Sequence, residues 1–70
     1  MDISESEQNY IKIDRADSIT KYIGIGANGA ADDDVAWKII KETFNASGDL
    51  VKCQTYKKLA KWSERAGLEF

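Results

Sequence analysis

The sequence predicts a small, mainly β domain, and three segments support this prediction. Residues 10–14 alternate apolar and polar side chains, as a strand with one buried face does. Residues 19–25 are rich in β-branched and aromatic side chains, which favour strands. Residues 50–56 follow a glycine-containing turn at 45–49 and have the composition of a further strand.

Residues 35–44 fit either a helix or a strand. As part of a helix over 33–45, they place their apolar side chains on one stripe, and the acidic residues 32–34 supply its cap and first turn. As a strand, they have two partly apolar faces and form a hairpin with residues 50–56. The periodicity alone favours the helix and hence an α+β fold.

The last third of the chain predicts a short amphipathic helix near 56–65, ended by Gly67. Leu68 to Phe70 then fit a last short strand. The basic side chains of the 57–65 segment resemble a nucleic-acid-binding face, although a net charge of −2 favours a simple solvated side.

The chain of 70 residues predicts one small domain, 1–70, with a polar lead-in at residues 1–8. It contains no histidine and one cysteine, Cys53, which excludes a Ser-His-Asp triad and a structural zinc site. We therefore predict no enzyme, no catalytic residue, no metal and no cofactor. Cys53 alternates within a strand and is expected to be buried. No apolar run reaches the ~20 residues that a membrane span needs.

Two short motifs have simpler interpretations than ligand binding. Residues 24–29 match Gly-x-Gly-x-x-Gly, but the chain is too short for a dinucleotide-binding sheet, so a strand end and a turn are expected. Residues 32–34, three consecutive aspartates, lack the spacing of a calcium loop, so a solvated loop or a helix cap is expected.

Two blocks of the sequence resemble a known group of proteins. The first comprises residues 21–29 (KYIGIGANG) and 34–41 (DVAWKIIK), and the second comprises residues 62–70 (WSERAGLEF). Together they are similar to small structural proteins of tailed bacteriophages. In that group a Tyr-x-Gly segment leads to a turn, a Trp-x-Ile-x-Lys/Arg strand, a glycine hairpin and a closing Trp-x-x-Arg-Ala-x-Leu-x-Tyr. The resemblance spans roughly residues 21–70, except 52–61.

The chain departs from this pattern at three places. Asn28 stands where the group commonly has proline, Phe70 stands where it has tyrosine, and the triple aspartate occupies the spacer.

The resemblance implies that residues 35–44 form a strand, giving a small antiparallel sheet or sandwich with a hairpin at 35–56. It implies a structural or accessory protein of the virion head or tail, assembled in the host cytoplasm. Its partners would be other virion proteins or copies of itself, with no membrane and no small molecule, and the net charge of −2 disfavours nucleic acid. The alternative is a small cytoplasmic α+β adaptor or regulatory module, in which residues 57–65 would be the segment for any nucleic-acid contact. Core or interface candidates are Tyr22, Trp37, Ile39, Phe44, Tyr56, Trp62, Arg65 and Phe70.

Overall fold

Four strands form one antiparallel sheet, in which each strand pairs with its neighbour in the sequence. The structure is a computed structural model that describes residues 9–27 and 29–70, so the predicted lead-in and Asn28 lie outside the described residues. The mainly β prediction is confirmed. The elements are β1 (Asn9–Arg15), β2 (Thr20–Ala27), β3 (Trp37–Phe44), β4 (Leu50–Thr55) and a 3₁₀ helix, Trp62–Gly67.

The β1–β2 hairpin follows the alternation seen in the sequence. Its register pairs Ile13 with Ile23 and Ile11 with Ile25, so isoleucines lie side by side on one face. At the turn, the Asp17 carboxylate accepts a hydrogen bond of 2.9 Å from the backbone N–H of Ile19. This local bond replaces a ladder bond where the chain reverses.

The helix over 33–45 is wrong, because residues 37–44 form β3. Two neighbours hold this strand: Gly26 of β2 faces Trp37, and Thr55 of β4 faces Ile40. The period of two places Trp37 and Ile39 on one face, where both are fully buried. A helix would satisfy the local apolar stripe, but it would leave β2 and β4 without the strand between them.

The predicted β3–β4 hairpin is confirmed, and its turn has a specific basis. The Asn45 side chain accepts hydrogen bonds from the backbone N–H groups of Ser47 at 2.9 Å and Asp49 at 3.0 Å. Gly48 has φ +88°, a left-handed conformation that suits glycine. Cys53 of β4 is exposed, so its expected burial is wrong: β4 is an edge strand, and Cys53 faces Glu42 on the uncovered side of the sheet.

The helix predicted near 56–65 is displaced and is of a different type. The chain after β4 bends at residues 57–58 but keeps following β3: Tyr56 N–H donates to the Ile39 carbonyl, and Ala60 pairs with Trp37. Only beyond Ala60 does the backbone coil, as the 3₁₀ helix Trp62–Gly67. The last three residues, predicted as a strand, do not form one. Residues 56–70 are called the cap below, because they cover one face of the sheet.

The core lies between the sheet and the cap. Its buried members are Tyr22, Trp37, Ile39, Ala60 and Trp62.

Candidate functional site

Two tryptophan rings occupy the covered face, and two glycines make room for them. A Cβ atom on Gly26 would lie 2.7 Å from the Trp37 ring, and one on Gly24 would meet the Trp62 ring at even shorter distance. The ring centroids are 6.0 Å apart and tilted by 41°. The alternating glycines of β2 therefore form a seat for aromatic side chains, which is a different use from a nucleotide-binding turn.

Trp37 also anchors the loop that precedes β3. Its indole N–H donates to the Ala31 carbonyl at 2.8 Å, so the one polar atom of this buried ring is satisfied. This hydrogen bond holds the loop against the core.

Arg65 fastens the cap to β1. Its Nε and one terminal nitrogen both lie 3.0 Å from the Asp14 carboxylate, and the other terminal nitrogen donates to the Trp62 carbonyl at 2.9 Å. The guanidinium carbon is 4.4 Å from the Trp62 ring centroid, within cation–π range. Arg65 thus joins the cap to β1 and is not free to bind a phosphate.

The three consecutive aspartates have three different partners. Asp32 forms an ion pair with Lys12 of β1, Asp33 accepts a hydrogen bond from the Ser63 hydroxyl, and Asp34 accepts one from the backbone of its own loop. The carboxylates therefore diverge to tie the loop to β1 and to the cap. Among residues 9–27 and 29–70, no three His, Cys, Asp or Glu side chains are grouped so that they could hold a metal ion.

The end of the cap packs by aromatic contact. The Phe70 ring centroid is 6.4 Å from that of Tyr22 and 5.7 Å from that of Tyr56. Lys41 places its ammonium 5.9 Å from the same ring. Among the eight candidate residues, Tyr22, Trp37, Ile39 and Trp62 lie in the buried core, and Tyr56 and Phe70 pack against it. Phe44 is half-buried and lies outside this cluster.

A shallow depression on the cap offers little chemistry. Its polar side chains are Glu64 and Ser63, and the Ser63 hydroxyl already donates to Asp33.

The opposite face of the sheet presents five isoleucines, two of them exposed and three half-buried. Ile11 and Ile13 of β1 are 65% and 58% exposed. The register places Ile25 beside Ile11, and it places Ile23 between Ile13 and Ile40. We call these five side chains the isoleucine face. Neither a helix nor a strand of the described parts of the chain lies over it.

Charged residues border the isoleucine face at both ends of the strands. Towards the β1–β2 turn, Lys21 and Glu42 form an ion pair at 3.6 Å, and Arg15 pairs with Lys21 in the register. Towards the other end, Lys38 lies beside Ile25. The apolar surface is therefore enclosed by a polar rim, the usual arrangement at a protein–protein contact.

Ile11 and Ile13 were not among the candidate site residues predicted from the sequence. The signal lay in β2, where Gly24 and Gly26 alternate with Ile23 and Ile25. Glycines on one face of a strand indicate that large side chains from elsewhere in the chain pack on that face. The isoleucines that alternate with them then point to the opposite face, which needs a second packing layer.

Comparisons with known proteins give no match to a family model, to a curated protein or to a solved structure. In the described part of the chain, no helix has the length and apolar character to cross a membrane.

Proposed function

We propose that the chain is a small structural or accessory protein of a tailed-phage virion, in the head or the tail. It acts through contacts with other virion proteins or with copies of itself, without catalysis, and is assembled in the host cytoplasm. The observation that most supports this role is the exposed isoleucine face.

A single sheet with apolar side chains on both faces is an incomplete architecture. Stable domains bury each apolar face against another layer, and here the cap supplies only one layer. Contiguous exposed apolar surface with a polar rim is typical of an interaction site. A subunit of an assembly obtains the second layer from its neighbours.

The two sequence blocks that resemble phage proteins meet on the covered face. Gly24 and Gly26 come from the first block and seat the rings of Trp37 and Trp62, which come from both blocks. Arg65 of the second block stacks on Trp62. The shared motif thus describes how such a subunit builds its core, and it leaves the other face available for contacts.

The polar side chains that meet one another are used for structure. Lys12 with Asp32 and Asp14 with Arg65 join the loop and the cap to β1, and Asp33 with Ser63 joins the loop to the cap. This supports a non-catalytic role. The α+β adaptor alternative required the helix over 33–45, which is replaced by β3. The case for nucleic-acid binding through residues 57–65 is also weaker, because Arg65 is paired with Asp14.

The proposal is tested by the composition of purified particles. Virions of the phage that encodes the chain are banded in a density gradient and analysed by quantitative mass spectrometry, with a phage replication protein as a negative control. We expect the chain to co-migrate with the major capsid protein at a fixed ratio across the gradient. Its presence only in the soluble lysate, together with the replication protein, would contradict the proposal.

A further inference from the structure

We propose that copies of the chain join head to tail, with the free edge of β4 in one copy pairing with the free edge of β1 in the next. One antiparallel sheet then runs through successive copies. This inference rests on the proposed function and names a second copy as the partner. It is supported by the backbone groups at the two edges, by the order of the strands and by charge.

The β4 edge has backbone groups that point away from the sheet. The Tyr56 N–H donates to the Ile39 carbonyl at 2.8 Å, so these two residues form a hydrogen-bonded pair. Such pairs alternate with non-hydrogen-bonded pairs along an antiparallel ladder, so the next pair, Ile40 with Thr55, is non-hydrogen-bonded. The N–H and carbonyl groups of Thr55, and of Cys53 two residues before it, therefore point outward. The described part of the chain places no strand beside them.

The β1 edge has the same property. The Phe44 N–H donates to the Ile19 carbonyl at 2.8 Å, so β2 bonds to β3 through its odd-numbered residues and to β1 through its even-numbered ones. Ile11, Ile13 and Arg15 pair with odd-numbered residues of β2, so their N–H and carbonyl groups point outward. The chain contains no proline, so every outward residue keeps its N–H group.

The strand order lets the two edges pair without reorientation. Each strand is antiparallel to its neighbour in the order β1-β2-β3-β4, so β1 and β4 run in opposite directions. A second copy in the same orientation therefore places its β1 antiparallel to β4 of the first. Head-to-tail addition also pairs both edges of an interior copy, whereas a twofold contact between like edges leaves the other edge open.

One register lets the outward groups of the two edges bond to one another. It pairs Cys53 with Ile13 of the second copy, and Thr55 with Ile11. All four side chains then lie on the uncovered side of the joined sheet, because Cys53 and Thr55 share that side with Ile40. The exposed isoleucines of β1 thereby gain cross-strand neighbours.

The same register brings opposite charges together on the covered side. Lys52, which is exposed, lies opposite Asp14 of the second copy. Both Arg65 contacts to Asp14 are made to Oδ2, so Oδ1 can accept the Lys52 ammonium. A slip of two residues places Lys52 opposite Lys12 in one direction, where like charges repel, and opposite Ala16 in the other. Charge therefore favours the first register.

The two halves of the chain also differ in charge. Residues 1–34, which include β1 and β2, contain eight acidic and three basic residues, and residues 35–70 contain four acidic and seven basic ones. A contact between two β4 edges would bring together Lys52, Lys57 and Lys58 of both copies. A β4–β1 contact joins a basic half to an acidic half, and such complementarity suppresses the wrong partner.

Two proline substitutions test the contact, one at each edge. Thr55→Pro and Ile13→Pro each remove an outward N–H group, which edge strands tolerate, and circular dichroism checks that both variants fold. In sedimentation experiments from about 10 µM to about 1 mM, the parent chain should grow past a dimer. Each variant alone should stay monomeric. Their mixture should form a dimer and nothing larger, because one free β1 edge meets one free β4 edge.

Thr55→Val and Ile13→Val are the matched controls, because they keep the N–H group, and they should associate like the parent chain. Association of Thr55→Pro alone indicates a β1–β1 contact, and association of Ile13→Pro alone indicates a β4–β4 contact. Either result would overturn the proposal, and so would a parent chain that stays monomeric throughout.

Oxidative cross-linking reads the register and does not depend on the proline variants. Ile13→Cys places a thiol opposite Cys53 of the next copy, at a Cα separation of about 5.5 Å, within disulfide range. Mild oxidation should give a ladder of dimer, trimer and longer species, with links between position 13 and Cys53. Val35→Cys is the control, because Val35 is 62% exposed but lies in the loop before β3, and it should give little ladder. Equal ladders for both variants, or links only between like positions, would contradict the register.

These results are distinguishable from a failure of the proposed function. A chain that bands with virions but neither associates nor cross-links loses the edge contact and keeps the virion role. A chain that forms the ladder but is absent from virions keeps the edge contact and loses the virion role.

Discussion

Gly24→Ala is the most informative single substitution in the covered face. The new methyl group would lie 2.6 Å from Cζ3 of Trp62, about 1 Å inside normal carbon–carbon contact. Trp62 is 5% exposed and is held by the Arg65 stack, so it has little room to move. Overpacking of this kind costs about 1–3 kcal/mol, and the lower unfolded-state entropy of alanine offsets about 0.5 kcal/mol. We expect a net loss of about 1.5 kcal/mol.

Urea unfolding followed by tryptophan fluorescence measures this loss by linear extrapolation. Gly67→Ala is the matched control, because a Cβ at Gly67 meets nothing within 4 Å. Its free energy of unfolding should stay within about 0.5 kcal/mol of the parent value. Equal stabilities for the Gly24 and Gly67 variants would refute the idea that β2 glycines seat the tryptophan rings.

Substitutions at three further positions test the cap, the β3–β4 turn and the core, all by the same unfolding assay. Arg65→Lys should lower the free energy of unfolding by about 1–2 kcal/mol, because lysine cannot contact Asp14 with two nitrogens while stacking on Trp62. An unchanged urea midpoint would contradict this. Gly48→Ala should lose about 1 kcal/mol, because its φ is +88°, and Gly48→Asn should lose less. Trp37→Phe should lower the free energy of unfolding by about 2 kcal/mol, because the Ala31 carbonyl loses its indole donor and the core loses volume. A loss smaller than that of Gly48→Ala would contradict the anchoring role of Trp37.

Local sequence patterns predict β1, β2 and β4 because each has a short alternating or β-branched run beside a recognisable turn. They fail for β3, where the periodicity of Val35, Ile39 and Ile40 favours a helical stripe. The choice is made by β2 and β4, whose backbones pair with residues 37–44. Such pairing is non-local, so periodicity within one segment does not reveal it.

The cap was mispredicted for a related reason. The run from Tyr56 to Arg65 is amphipathic, yet Tyr56 and Ala60 hydrogen-bond to β3 and stay extended. The candidate aromatic residues were identifiable from their size alone. Their arrangement over Gly24 and Gly26 was not, because it requires knowing that Trp62 returns to β2 after a chain separation of almost forty residues.

The proposed role requires that the isoleucine face is buried in the working form of the protein. Solvent paramagnetic relaxation of isoleucine methyl groups, recorded with a soluble nitroxide at low and high protein concentration, measures this burial directly. We expect Ile11, Ile13 and Ile23 to become protected as concentration rises, while Val35 stays fully accessible. Isoleucine methyls that remain as accessible as Val35 at every concentration would contradict the claim.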